Sequence, residues 1–140
     1  CYSKFGQRGA DQTDEGIEIK PGVSVLSAPL KFNMDGCVKF AYPHGHDELL
    51  MVALENKTSR ETLLRTVPEV DADGTFRDFR PHQVYRDDKG FTVTKRDDYE
   101  MVMVHHHPLQ NPNIHHGMGN YLLYMTPGVC PRSANTASAR

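Results

Sequence analysis

The stretch DYEMVMVHHHP, residues 98–108, joins an apolar segment to a run of three histidines. Successive side chains of a β-strand point to opposite faces, so the odd-numbered residues from Met101 to His107 share one face. The even-numbered residues from Val102 to His106 share the other. Because Met101–Val104 is apolar on both faces, we predict a central strand of a sandwich, covered on one side by an opposing sheet.

The rest of the chain repeats short apolar stretches separated by turn residues, a spacing typical of antiparallel β proteins. Leu49–Leu54 is also apolar on both faces and is predicted to be a second central strand. The segment SRETLLRT, residues 59–66, has a capping-like start and good helix formers, so both helix and strand stay open there. We predict an all-β chain folded as an antiparallel β-sandwich, jelly-roll-like, with extended arms at both termini.

Composition divides the 140 residues into one folded domain between two polar ends. A chain of this length can bury a hydrophobic core without needing disulfides or bound metals for stability. Residues 1–22 are predicted to form a polar N-terminal arm or lipid tether, either extended or lying on another surface. Residues 23–130 are predicted to form the sandwich, and residues 131–140 a polar C-terminal tail.

The charge balance says little about the fold, but it gives no support for a nucleic-acid partner or an anionic membrane surface. With 16 Lys and Arg against 18 Asp and Glu, the net charge of −2 gives no reason to expect nucleic acid or an anionic membrane surface. The longest apolar run, Leu49–Leu54, is too short to cross a bilayer. A membrane link would therefore come from a lipid.

The three cysteines favour an exported protein. The sequence begins at Cys1, as bacterial lipoproteins do after signal-peptide cleavage and acylation, which predicts a lipid anchor on Cys1 in the periplasm or at the cell surface. A start that merely falls on Cys is the alternative. Cys37 and Cys130 then form an even pair, which suggests a disulfide in an exported chain, with two buried free thiols as the other reading.

The pair His44 and His46 is the first candidate metal site. Their spacing places both on one face of a strand, and neutral imidazole is the commonest transition-metal ligand. A third ligand must come from another strand. Met118, between two glycines before the last strand, is the candidate, with Met103 and Met125 as replacements. A thioether favours Cu(I) and imidazole serves both copper states, so copper is preferred over zinc.

Other histidines provide candidates for additional ligands. At most two side chains of the run 105–107 can point the same way, so His105 and His107 are one candidate set, and His115 and His116 another. The alternative for the run is a solvated strand end. His82 is predicted to be a surface residue.

Together, these motifs resemble the second β-sandwich domain of the copper type II, ascorbate-dependent monooxygenases, the peptidylglycine and dopamine hydroxylase family. The resemblance covers about residues 37–127 and rests on HGH at a strand start and on HHGMGNYLLYMTP near the end. By this resemblance, His44, His46 and Met118 would bind one copper ion. The family's Met usually follows an acidic residue, whereas Met118 follows a glycine.

The resemblance implies copper binding more than turnover. The family's electron-delivering domain, with its three-histidine copper, has no counterpart in these 140 residues. We therefore expect a copper-binding, lipid-anchored protein acting in copper handling, electron transfer or as an accessory subunit. A structural subunit of a larger envelope assembly is the competing hypothesis, and a copper-dependent oxidoreductase with a second site in the histidine run is the third.

Overall fold

The computed structural model of the chain describes residues 17–46, 48–72, 76–79, 83–109 and 115–131. For residues 17, 76, 115 and 116 it describes the backbone alone. Cys1, His82 and residues 132–140 lie outside the described residues. No helix in the described ranges is long and apolar enough to cross a membrane.

Within the described residues the regular structure is made of eleven β-strands. They are β1 (Ile17–Ile19), β2 (Gly22–Leu30), β3 (Gly36–Gly45), β4 (Leu49–Asn56), β5 (Glu61–Thr66), β6 (Glu69–Val70), β7 (Phe76–Asp78), β8 (Tyr85–Val93), β9 (Tyr99–His107), β10 (His115–Gly117) and β11 (Gly119–Pro127).

Two antiparallel sheets form the body of the fold. The larger has the order β2-β9-β4-β5 and the smaller the order β11-β3-β8, while β1 with β10 and β6 with β7 form separate pairs. Strands β9 and β4 contain the two segments that are apolar on both faces, and both lie in the middle of the larger sheet. The predicted all-β sandwich and its two central strands are confirmed.

The core lies between the two sheets. The chain changes sheet between β2 and β3, between β3 and β4, and again on each side of β9, so sequence neighbours face each other across the core. Tyr121 of β11 reaches the opposite sheet, where its hydroxyl lies 2.9 Å from the Val52 carbonyl oxygen and 2.8 Å from the Thr66 hydroxyl. The fully buried side chains around it include Val38, Leu49, Val52, Leu54 and Val93.

The segment that the sequence left open between helix and strand is a strand. Residues 57–60 form a turn, and β5 follows with Leu64 and Thr66 buried and Arg65 exposed between them. This alternation lets one face of β5 cover the core beside β4, which a helix of the same length would not do. Tertiary packing overrides the helix propensity here.

Part of the predicted N-terminal arm belongs to the fold. β1 lies within residues 1–22 and pairs antiparallel with β10, with Ile19 opposite His115. Ile19 is buried at 2% exposure. The apolar residues of the short IEI sequence are enough for a strand once β10 supplies a partner.

Cys37 and Cys130 form the predicted disulfide. Their Cα atoms are 4.7 Å apart although 93 residues separate them in sequence. The bond ties the start of β3 to the segment after β11, at the end of the sandwich opposite to the histidines. The reading as two free thiols is wrong.

Candidate metal site

Most of the histidines meet at one end of the sandwich. β3 ends at Gly45 and β4 begins at Leu49, so the chain passes from one sheet to the other within three residues. β9 ends at His107 at the same end, because its register places His105 opposite Leu49. β11 starts there too, with Gly119 opposite Gly45.

His44 and His46 form an exposed pair on the outer face of the smaller sheet. A Cβ on Gly45, between them, would meet Leu49 of the core, so the two histidines point away from the core. Their Nε2 atoms are 3.2 Å apart, and the rings meet edge to face with centroids 5.0 Å apart. We call them the outer pair. When both rings are neutral, one Nε2–H donates to the other Nε2.

The electrostatics of the outer pair favour the metal-binding form of His44. Burial lowers the pKa of His44, and the neighbouring His46 lowers the pKa further. A lowered pKa keeps the imidazole neutral, with a ring nitrogen lone pair available, over more of the neutral pH range. Burial and the proximity of His46 therefore favour a neutral His44 that can bind a metal ion.

Met118 lies beside the outer pair. Asn120 pairs with His44, and one step beyond the ladder the His46 amide donates to the Met118 carbonyl oxygen at 3.3 Å. Residues opposite one another on antiparallel strands share a face, with Cβ atoms about 5 Å apart. The half-buried Met118 is therefore the cross-strand neighbour of His46.

The two methionines considered as replacements lie elsewhere. Met103 is buried in the core at 2% exposure, on the inner face of β9. Met125 packs against the core from β11, and its side chain covers Gly36 near the disulfide. Neither faces the side of the sheet that carries His44 and His46.

His107 and His105 form a second pair with the same spacing, which we call the inner pair. Both are fully buried on the inner face of β9, where the strand alternates as the sequence predicted. His107 Nδ1 lies 2.8 Å from Glu48 Oε1. Glu48 has a positive φ of 73°, a conformation that turns its side chain inward directly after the outer pair. The histidine run is therefore not a solvated strand end.

His105 is the unusual member of the inner pair. It is fully buried, and among the described residues neither Nδ1 nor Nε2 has a hydrogen-bond partner of good geometry. Burial lowers the pKa of His105, while the nearby Met118 backbone and the charge of Glu48 act in the opposite direction. The Met118 backbone therefore lies close to the ring.

The remaining histidines do not complete the outer pair in the described structure. His106 lies on the other face of β9, half-buried. His115 and His116 belong to β10 by their backbone, and their side chains lie outside the described residues. In the described part of the chain, no three His, Cys, Asp or Glu residues are grouped to hold a metal ion. Among the described residues, a third donor for the outer pair would be of another kind, such as the Met118 thioether.

Glu48 lies at the end of the sandwich where the histidines meet, and the sequence did not indicate its contact with His107. Its position two residues after the H-x-H pair does not by itself indicate an inward side chain. Nothing in the sequence reveals the left-handed backbone at Glu48, since that conformation is unfavourable for a non-glycine residue and is imposed by the surrounding fold.

The chain matches no family model, no curated protein and no solved structure. The resemblance to the copper monooxygenases therefore stays a prediction based on the motifs.

Proposed function

We propose that this protein binds one copper ion through His44, His46 and Met118. The observation that carries the proposal is the 3.2 Å separation of the two Nε2 atoms. Two nitrogens at about 2.0 Å from one metal ion, with an angle of about 90–110° between them, lie about 2.8–3.3 Å apart. The outer pair therefore has the spacing of two ligands of a single ion.

The residues of the site fit copper in both oxidation states. Two neutral imidazoles suit Cu(I) and Cu(II), and a thioether adds a preference for Cu(I). Met118 is the cross-strand neighbour of His46 through a backbone hydrogen bond, so its thioether would supply the sulfur donor of the site. When bound, copper would supply one-electron redox chemistry or a transferable cargo ion. The protein's part is to hold that ion at an exposed face.

An exposed site at a sheet surface suits copper handling, electron transfer or service as an accessory subunit. His44 and His46 are both exposed, so a partner protein or a small chelator can reach the ion directly.

Export is part of the same proposal. The Cys37–Cys130 disulfide supports it, because disulfides persist in oxidising compartments. Lipid anchoring through Cys1 would appear as an intact mass above that of the sequence.

Copper content of protein purified from its native source, followed by reconstitution of variants, tests the site. We expect about one equivalent of copper in the wild type, lost in His44→Ala and strongly weakened in Met118→Ala. His106→Ala is the matched histidine control, because His106 lies on the other sheet. Met34→Ala is the methionine control at an exposed turn. A wild type without copper, or equal copper in all variants, rejects the proposal.

An envelope subunit without a metal is the second candidate, and one observation favours it. Val23 and Val25 of the edge strand β2 are 67% and 68% exposed, on the outer face of the larger sheet. Neighbouring apolar side chains on an open edge are a common feature of protein contacts. Val25→Lys distinguishes the two functions, since it would disrupt assembly without changing copper binding.

A further inference from the structure

The Gly117-Met118-Gly119 segment lies directly on buried side chains. A Cβ on Gly117 would sit 2.6 Å from His105 Nε2, and one on Gly119 would sit 2.9 Å from Leu49 Cδ1. At either position an added Cβ would force the neighbouring side chains to shift. The two glycines thus let the backbone lie flat against the inner layer, while Met118 between them lies beside His46.

His105 is a polar residue in that inner layer, and its burial there is expected to lower the stability of the fold. A buried polar group without a hydrogen-bond partner lowers stability, and an apolar side chain would avoid that cost. Both ring nitrogens of His105 are buried, and neither has a hydrogen-bond partner of good geometry in the part of the chain that the structure describes. The ring nevertheless touches the segment that carries a proposed copper ligand, on the side opposite to the outer pair.

We propose that His105 is a positioning residue for the copper site. Its ring supports the backbone at Gly117 and Met118 from inside, and so sets how closely the Met118 thioether approaches His44 and His46. The inference rests on the proposed copper site and deepens it. Because the thioether favours Cu(I) whereas the imidazoles serve both states, His105 controls the preference for Cu(I) over Cu(II) without binding the ion.

The test compares Cu(I) and Cu(II) affinities of the full chain, each measured by competition with a chromophoric chelator. Removing the support with His105→Leu should weaken Cu(I) binding by about 10- to 100-fold, the usual effect of losing an outer-shell partner. Cu(II) affinity should change by less than about 3-fold, since the outer pair is intact. Met101→Leu, a buried change on the same face of β9, is the matched control and should alter neither affinity.

A double-mutant cycle separates positioning from a general loss of packing. Once Met118→Leu has removed the thioether, His105→Leu should have no further effect on Cu(I) affinity, because the two changes act on one interaction. If His105→Leu does not fold, Gly117→Ala replaces it. The added methyl would meet both Ile19 and the His105 ring, and should give the same loss that is selective for Cu(I).

The outcomes distinguish this inference from the proposed function. Unchanged Cu(I) affinity in His105→Leu, or in Gly117→Ala where that variant replaces it, overturns the positioning role and leaves the outer site standing. A second equivalent of copper in the wild type that disappears in His105→Leu makes His105 a ligand, which also overturns the positioning role. A wild type that binds no copper overturns the proposed function itself.

Discussion

The outer pair, His44 and His46, and the inner pair, His105 and His107, have the same spacing on a strand and opposite surroundings. The outer rings are exposed, with Nε2 atoms 3.2 Å apart. The inner rings are fully buried, and one of them is held by Glu48. The difference teaches that an H-x-H spacing defines only a shared face, and that the sheet around it decides whether the face meets solvent or the core.

The two pairs are linked through the short crossing between β3 and β4. His46 points outward, and Glu48, two residues later, turns inward to His107. The Glu48 carbonyl oxygen also accepts a hydrogen bond from the His106 amide at 2.8 Å. This crossing therefore lies between the two pairs and contacts the inner one. A change at Glu48 tests whether that contact stabilises the fold.

The largest effect is expected from Glu48→Ala. The change removes the carboxylate 2.8 Å from His107 Nδ1 and leaves a fully buried imidazole without that partner. We expect the free energy of unfolding to fall by about 2–4 kcal/mol. Urea denaturation of the protein with its disulfide intact would measure the loss. Glu48→Gln, which keeps an acceptor of similar size, should cost less.

Glu61→Ala is the control for this comparison. Glu61 is exposed, and its carboxylate accepts a hydrogen bond only from the neighbouring Ser59 hydroxyl among the bonds of the described residues. Its loss should cost no more than about 0.5 kcal/mol. Equal losses for Glu48→Ala and Glu61→Ala would mean that the inner pair does not hold this end of the fold.

A second, smaller effect concerns the interior between the two sheets at high pH. Burial raises the pKa of Tyr121 to about 12, and its bond to Thr66 opposes the rise only in part. The unfolded chain loses this proton near pH 10, so the folded state holds more protons between pH 10 and 12. Stability is complete below pH 10 and should fall by up to about 2.7 kcal/mol as the pH rises to 12.

Tyr121→Phe isolates that contribution. The variant should lose about 1–2 kcal/mol at neutral pH, because Val52 and Thr66 lose a hydrogen-bond partner. Its own stability should then decline less steeply above pH 10. Denaturant titrations at pH 7, 10 and 11 compare the two proteins, and parallel curves would show that the ionisation of Tyr121 does not limit stability.

The sequence predicted the parts of the fold that depend on local patterns. The central strands followed from apolar residues on both faces of 49–54 and 101–104, and the disulfide from an even cysteine pair together with the prediction of export. The inward turn of Glu48 and the pairing of β1 could not be predicted, because both depend on neighbours distant in sequence. For the same reason the pattern could not tell which histidine pair is exposed, although it identified Met118 as the residue to examine.

The smallest expected effect is on the metal-free stability of His46→Ala. The outer pair is exposed, and its hydrogen bond competes with water, so its loss should change the free energy of unfolding by less than about 0.5 kcal/mol. So small a value would distinguish the outer pair from the inner pair, because residues that bind a ligand need not stabilise the fold. Adding copper at about 100 times its dissociation constant should stabilise the wild type by about 2.7 kcal/mol and leave His46→Ala almost unchanged. A large loss in the metal-free variant would instead make the outer pair a structural element, like the inner one.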